Sequence, residues 1–407
     1  MNYNINKSNN QVPKGYKKTK VGVVPEDWEK LELNKIFDIS SKKFNPKIES
    51  MNKKCIELEH LSQITGELLG FTNSEEQQSS KNIFKKGQIL YGKLRPYLRK
   101  YLKTTFDGVC STEIWVLNNK KVTTDYLFQF VQTDKFNQIA NVSTGSKMPR
   151  ADWKYMSEIP FIIPPLKEQQ KIANILTTWD NAVSKQEELI KAKEELKKGL
   201  MQKLLTGKVR FKEFNDEWLN IKLGDILDEP KKEKVKNPEN YELLTVKLHC
   251  QGIAKSGKFP NVTENGRPYY IVQNGELLIG RQNFHNGGFG ISPNDTEDFV
   301  TSNAITHLTV KDNLCNLKFI EYYFSQYNFY KRIDYLIGGT GQKEISKKEF
   351  NNIKINLPSI KEQEKILEVL SLSDREIKLL KKELFESLEQ KKGLMQKLLT
   401  GEVRVKV

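Results

Sequence analysis

Residues 164–211, PPLKEQQKIANILTTWDNAVSKQEELIKAKEELKKGLMQKLLTGKVRF, align without a gap with residues 358–405, PSIKEQEKILEVLSLSDREIKLLKKELFESLEQKKGLMQKLLTGEVRV. The offset is a constant 194, and 22 of the 48 positions are identical. Eleven identities are consecutive, Lys197 to Gly207 against Lys391 to Gly401. Such self-similarity marks an internal repeat and has to be read before any local motif. Each copy opens after a proline (Pro165, Pro358), is rich in Lys, Glu, Leu and Gln, and closes on Thr-Gly, where glycine suits the left-handed position just past a helix. The pattern predicts two long helices. Ile172, Leu176, Trp179, Val183, Leu200 and Leu204 recur at helical spacing in the first, with Ile175, Leu189 and Leu196 in the same pattern. Ile366, Leu370, Ile377, Leu384, Leu394 and Leu398 do so in the second. Leu370, Ile377 and Leu384 stand seven apart, a narrow seam of the coiled-coil kind that needs a partner. About 40 residues at 1.5 Å each reach roughly 60 Å, longer than a compact domain easily buries. The expected arrangement is therefore an antiparallel pair rather than two separate core helices.

Before and between the helices lie two segments of similar length that echo each other faintly. Glu26–Ile39 (EDWEKLELNKIFDI) resembles Asp216–Glu229 (DEWLNIKLGDILDE), and Lys86–Arg95 (KGQILYGKLR) resembles Asn274–Asn283 (NGELLIGRQN). Short runs of Val, Ile, Tyr and Phe between Gly, Asn and Pro breakers predict strands, and DYLFQFVQTDKF and KFIEYYFSQYNF predict one helix in each segment. The fold class is mixed α/β (α+β): two globules alternating with two long helices in a pseudo-twofold repeat. The boundaries fall at 1–163, 164–207, 208–357 and 358–407. The globules have diverged while the helices have stayed alike, so whatever distinguishes the halves resides in the globules.

Over 407 residues, 66 Lys and Arg face 51 Asp and Glu, for a net charge of +15. That excess favours a polyanionic partner, nucleic acid before an anionic membrane. It is concentrated: residues 1–164 carry 26 basic and 17 acidic groups, whereas residues 208–357 carry 21 and 19. No apolar run approaches the roughly 18 residues of a membrane span, and the N-terminal stretch lacks the apolar centre of a signal peptide, so the expectation is a soluble, cytoplasmic protein. Cys55, Cys110, Cys250 and Cys315 form no C-x-x-C pair and read as reduced structural thiols.

The densest basic signal is Tyr91–Lys103, YGKLRPYLRKYLK, in which Lys93, Arg95, Arg99 and Lys100 alternate with Tyr97 and other tyrosines. Arginine suits bidentate contact with phosphate or guanine, and tyrosine adds hydrogen bonding and apolar contact. Ser143–Trp153 adds Lys147 and Arg150. In the second globule, Gly280–Gly288 presents Arg281, Gln282, Asn283 and His285, side chains able to read base edges, with Arg267 and Lys343 as further cations. The glycine cluster Gly338–Glu344 lacks the spacing of a phosphate-binding P-loop. His60, His249, His285 and His307 lie in no metal-ligand spacing, and no nucleophile elbow or amino-methyltransferase tetrapeptide is present. The expectation is a binding protein with no catalytic or metal-binding residues of its own.

This layout resembles the specificity subunit of type I restriction–modification enzymes over nearly the full chain. The resemblance rests on the duplicated P-x-x-K-E-Q-x-K-I openings (Pro164–Ile172, Pro358–Ile366), the duplicated K-K-G-L-M-Q-K-L-L-T-G closings, and L-R-P-Y-L-R-K with C-S-T-E following. It implies two target-recognition domains, each reading half of a bipartite double-stranded DNA site. It also implies paired helices that set their separation and dock two methyltransferase subunits, with restriction subunits joining the complex. On that resemblance this chain holds no cofactor. S-adenosylmethionine, ATP and Mg would serve adenine methylation and DNA cleavage in the partners. Two other readings stay open from the residues: a methyltransferase or nuclease with cryptic motifs, and a coiled-coil protein that bridges DNA without sequence preference.

Overall fold

A computed structural model describes residues 12–19, 22–49, 51–142, 148–261, 267–295, 298–312, 314–336 and 344–406. The chain divides into two compact units, residues 1–187 with 383–407, and residues 188–382. The two long helices are Leu166–Leu204 and Ile360–Thr400, of 39 and 41 residues. Each unit therefore holds the opening half of one helix and the closing half of the other. Within each unit the two halves run antiparallel. Asp180 meets Lys391 in the first unit. In the second, Asp374 meets Lys197 and Glu376 meets Lys193 at 2.6 Å.

The seam is narrower than the periodic pattern. Ile172, Leu176, Val183, Leu204, Ile366, Leu370, Ile377 and Leu398 are buried, and Trp179, Leu200, Leu384 and Leu394 are half-buried. Ile175, Leu189 and Leu196, which share the helical spacing, are exposed. A helix flanked by one partner covers only a stripe, so apolar residues off that stripe stay in water whatever their spacing.

The two globules share one topology despite their divergence. In the first, an antiparallel sheet orders the strands Tyr101–Lys103, Ile89–Gly92, Ile114–Asn119 and Phe37–Ile39. In the second, Phe289–Ile291, Leu277–Gly280, Ile305–Val310 and Leu227–Asp228 take the same places. A second sheet in each is built around one parallel pair: Lys54–Ile56 with Gly108–Ser111, and Glu242–Val246 with Phe299–Ser302. A two-stranded ribbon then ties an early strand of each globule to the one that leads into its helix, Glu29–Glu32 with Pro160–Ile163 and Leu219–Lys222 with Lys354–Leu357. The segments expected to form one helix each form two, Thr124–Phe130 and Asp134–Ala140, and Leu317–Phe324 and Tyr327–Leu336. The break in the first follows from Thr133, whose hydroxyl accepts the Phe136 N–H at 3.2 Å and starts a new helix where the pattern alone reads continuity.

The duplicated openings and closings meet inside each unit. Glu168 is fully buried, and Arg404 grips it with Nε to Oε1 at 2.7 Å and Nη2 to Oε2 at 2.8 Å, while Trp28 Nε1 donates to it at 3.0 Å. Arg404 also holds Asp27 at 2.8 and 2.9 Å. In the second unit Arg210 grips Glu362 with two bonds of 2.9 Å, and Trp218 Nε1 donates to it at 3.0 Å. Beside each carboxylate a buried glutamine bonds an earlier loop of the globule and the proline two residues before the helix. Gln169 accepts the Thr123 N–H and donates to the Pro164 carbonyl, both at 2.9 Å. Gln363 does the same with Asn316 and Pro358, again at 2.9 Å. Each arginine reaches its carboxylate because the helix ends in a left-handed glycine, Gly207 (φ 68°) or Gly401 (φ 77°), that turns the chain back. A Cβ on Gly401 would lie 2.6 Å from the Pro25 ring.

Removing one partner of such a pair strands a buried charge. Arg404→Ala is expected to destabilise the first unit by about 3 kcal/mol, and Arg210→Ala the second by a similar amount, read as separate losses in denaturant unfolding. A loss well under 1 kcal/mol in both would show that water reaches the carboxylates.

Candidate nucleic-acid interface

In the first globule the strand Ile89–Gly92 runs into the tight turn Pro96–Leu98 and returns as Tyr101–Lys103. The turn is bracketed by two arginines in the left-handed region, Arg95 (φ 51°) and Arg99 (φ 49°). Non-glycine residues seldom adopt that conformation, and where they do the surroundings hold them there. Arg95 donates its N–H to the Pro149 carbonyl at 2.8 Å, and the Arg99 carbonyl accepts the Ile64 N–H at 3.0 Å. Two isolated bridges, Leu94 with Arg150 and Gln63 with Lys100, lock the same three loops together.

The side chains on this turn differ in what they have left to offer. Arg95 and Tyr97 are exposed, and neither Arg95 nor the half-buried Lys93 has an acidic partner among the described residues. Arg99 is held by Asp134 at 2.5 Å, Lys100 by the Leu58 carbonyl at 2.6 Å, and Arg150 by Glu113 through contacts of 3.1–3.3 Å. Three of the cations that look alike in sequence are thus already bound within the globule. Lys147 and Lys343 lie outside the described residues.

The second globule builds the equivalent turn from Arg281–Asn286, between Leu277–Gly280 and Phe289–Ile291. Asn283 is exposed and Gln282 and His285 are half-buried, with His285 Nε2 and the Asn286 amide 3.0 Å apart. Arg281, expected to stand free, bonds Glu344 at 2.5 Å and lines a cavity of about 460 Å³ with Thr306, Leu308 and Phe350. Local sequence shows a basic residue after a glycine, but its carboxylate partner lies 63 residues further on. Arg267 is exposed and stands apart from this turn in sequence.

Gly287, left-handed at φ 72°, takes the place that Arg99 holds in the first globule, and its carbonyl accepts the Cys250 N–H at 2.9 Å. Cys250 and His249 (φ 57° and 58°) form the two central residues of a tight hairpin, closed by Gln251 N–H to the Leu248 carbonyl at 3.3 Å. Asn-Gly is the usual pair at such a turn, so His-Cys is unexpected there. Sequence reading missed Ile64 and His249 as members of these loops, because nothing in their neighbours signals a positive φ. A buried chain also passes behind the second turn: His307 Nδ1 pairs with Glu276 at 2.8 Å, and its Nε2 with the Thr301 hydroxyl at 2.7 Å.

Comparison with known proteins gives the family. A family model described as the type I restriction modification DNA specificity domain matches residues 25–195 and again 215–390. The chain belongs to that family. It is 26% identical over 414 residues to the type I restriction enzyme MjaVIII specificity subunit of Methanocaldococcus jannaschii, covering 94% of each chain. To the putative MjaX specificity subunit of the same organism it is 28% identical, covering 96% of this chain and 97% of that one. In fold it is similar to a chain from a structural study of assembly and conformational transition in the type I R-M system (TM-score 0.60, 14% identity, 93% and 99% covered). It also resembles the type I restriction–modification S subunit from M. genitalium (TM-score 0.54, 16% identity, 91% and 96% covered). The chain is therefore a type I specificity chain for DNA target recognition, and the paired turns are its candidate reading surfaces.

The four thiols take no visible part in either turn's polar chemistry. Burial pushes Cys55 up to about 12 and Cys315 to about 11, and raises Cys110 further. Thiolate is the reactive form, so thiols held protonated react slowly. A disulfide reagent at pH 8 should label Cys55, Cys110 and Cys315 only after unfolding, with all four cysteines titrating in denaturant. Fast labelling of those three in the native protein would contradict their burial.

Proposed function

We propose that this chain is a non-catalytic adaptor that reads a bipartite, asymmetric double-stranded DNA site, one half with each globule. It docks two methyltransferase subunits and, through them, restriction subunits. Methylation and ATP-dependent cleavage, with S-adenosylmethionine, ATP and Mg, belong in this reading to those partners, and the complex works in the cytoplasm. The observation that carries the reading is the duplication itself: two unlike reading turns on one topology, each fastened to a like helix scaffold. Like scaffolds present like surfaces to a partner, whereas unlike turns read unlike bases. Methylome sequencing of cells with and without the gene tests it. One two-part motif with a fixed gap should vanish on deletion, and an unchanged methylome would overturn the reading.

Two sets of substitutions divide the labour. Arg95→Ala removes an exposed cation that has no acidic partner among the described residues and should weaken cognate and unrelated duplexes alike, lowering the salt slope of log affinity by about one. Gln282→Ala with Asn283→Ala should relax only one half-site, at a cost of about 1–3 kcal/mol for a lost base contact. Binding over a salt series on intact and half-substituted duplexes checks both. Loss of preference in both half-sites from either change would refute the assignment of one half to each globule.

If the helices act as a spacer, four residues inserted after Glu188 and four after Lys382 should lengthen the gap between half-sites. The gain is about one turn, roughly 6 Å, or one to two base pairs. A changed half-site with an unchanged gap would sink the spacer idea.

A further inference from the structure

Ile64 is placed as no fold requirement would place it. It is a β-branched residue at φ 70°, and it is 62% exposed. β-Branched side chains are genuine outliers in that region, where glycine or asparagine would sit without strain. The backbone around it is held firmly. Thr65 donates its N–H to the Gln63 carbonyl at 2.8 Å across Ile64, and Ile64 donates its own N–H to Arg99 at 3.0 Å. Its carbonyl accepts the Tyr101 hydroxyl. Beneath it, Gly66 lies so close to the rings of Phe128 and Tyr101 that a Cβ there would come within 3.0 Å of both. The loop is thus rigid, strained and seated on aromatic support, while the side chain it displays packs in none of the unit's core clusters.

In the second globule a different turn, the hairpin of His249 and Cys250, meets the equivalent point. There the left-handed Cys250 bonds the residue that ends the reading turn, as Ile64 bonds Arg99, and the exposed His249 stands beside it. What is kept in both globules is the point of contact, a left-handed residue bonded to the residue that ends the turn, while the type of turn and the side chains change. An exposed β-branched residue held under strain at that point is the kind of outlier found at functional sites. The turn to which Ile64 is bonded through Arg99 carries the exposed Arg95 and Tyr97, so a DNA duplex drawn to that cation is brought to the loop that displays the isoleucine. An isoleucine can offer a base edge no hydrogen bond. What it can recognise in the major groove is the C5-methyl group of thymine, the one apolar feature displayed there.

Resting on the DNA-recognition reading above, we propose that Ile64 is a specificity-determining residue that contacts a thymine methyl in the half-site read by the first globule. The test uses the full chain, tagged in its own cells so that any partners are purified with it. Preferred sites are first selected from randomised duplexes. Each thymine is then replaced by deoxyuridine, which removes only the methyl group. For the unaltered chain, one position in one half-site should lose about fourfold in affinity, the worth of one buried methyl. Ile64→Gly and Ile64→Asn, both at ease at positive φ, should bind the thymine and deoxyuridine duplexes equally and keep or raise the thermal midpoint. Ile64→Val should retain the methyl preference.

Full methyl sensitivity in Ile64→Gly and Ile64→Asn would overturn the proposal, as would the absence of any sensitive thymine in the unaltered chain's site. Equal loss of affinity on every duplex would also overturn it, pointing to a wedge between bases instead. Failure of the unaltered chain to select any site would bring down the recognition reading, and this proposal with it.

Discussion

A carboxylate buried at the start of each long helix, and the arginine that neutralises it, is the constraint on which the rest depends. Glu168 and Glu362 are almost fully removed from water. A lone carboxylate there would be costly, and a fork-shaped guanidinium with an indole N–H satisfies it with good geometry. In each unit the arginine comes from the segment that closes the other helix. The opening of one repeat and the closing of the other therefore have to be neighbours. The antiparallel helix halves, the left-handed glycines and the ribbon that positions Trp28 or Trp218 all follow from bringing those groups together.

This crossing-over explains why the eleven-residue run is identical in both copies. Lys391 meets Asp180 while Leu398 and Leu399 enter the first core, and Lys197 meets Asp374 while Leu204 and Leu205 enter the second. Each closing segment packs against an opening that is itself a copy, so a change in one would need a matching change more than a hundred residues away. The globules carry no such coupling at their turns. One ends its reading turn in Arg99 and the other in Gly287, on strands of identical order. Packing constrains the scaffold, and the turns are left able to vary.

Charge counts alone do not show which cations of the first globule are already paired. Its surplus is real, yet Arg99 and Arg150 are paired with Asp134 and Glu113 and Lys100 is bonded to a carbonyl, which leaves Arg95 and Lys93 as the cations of that turn without a partner among the described residues. Exposed pairs of this kind add little stability. They do fix the guanidinium planes, and so decide which cations can approach a phosphate without first breaking a contact.

By itself, the sequence determined the repeat, the two long helices with their glycine stops, the alternation with two diverged globules, and the family to which that pattern belongs. These are legible because helix periodicity, capping chemistry and a fixed offset are local or self-referential signals. It marked Glu168, Gln169, Glu362 and Gln363 as a shared motif, but as charges and amides on a helix they read as surface. Only the tertiary structure decided that they are buried, that Arg404 and Arg210 cross to the opposite repeat, that Arg281 is tied to Glu344, and that Ile64 stands left-handed beside Arg99. Burial, ion pairing and strain depend on what lies opposite a residue in space, and for each of these groups the deciding neighbour lies tens to hundreds of positions away along the chain.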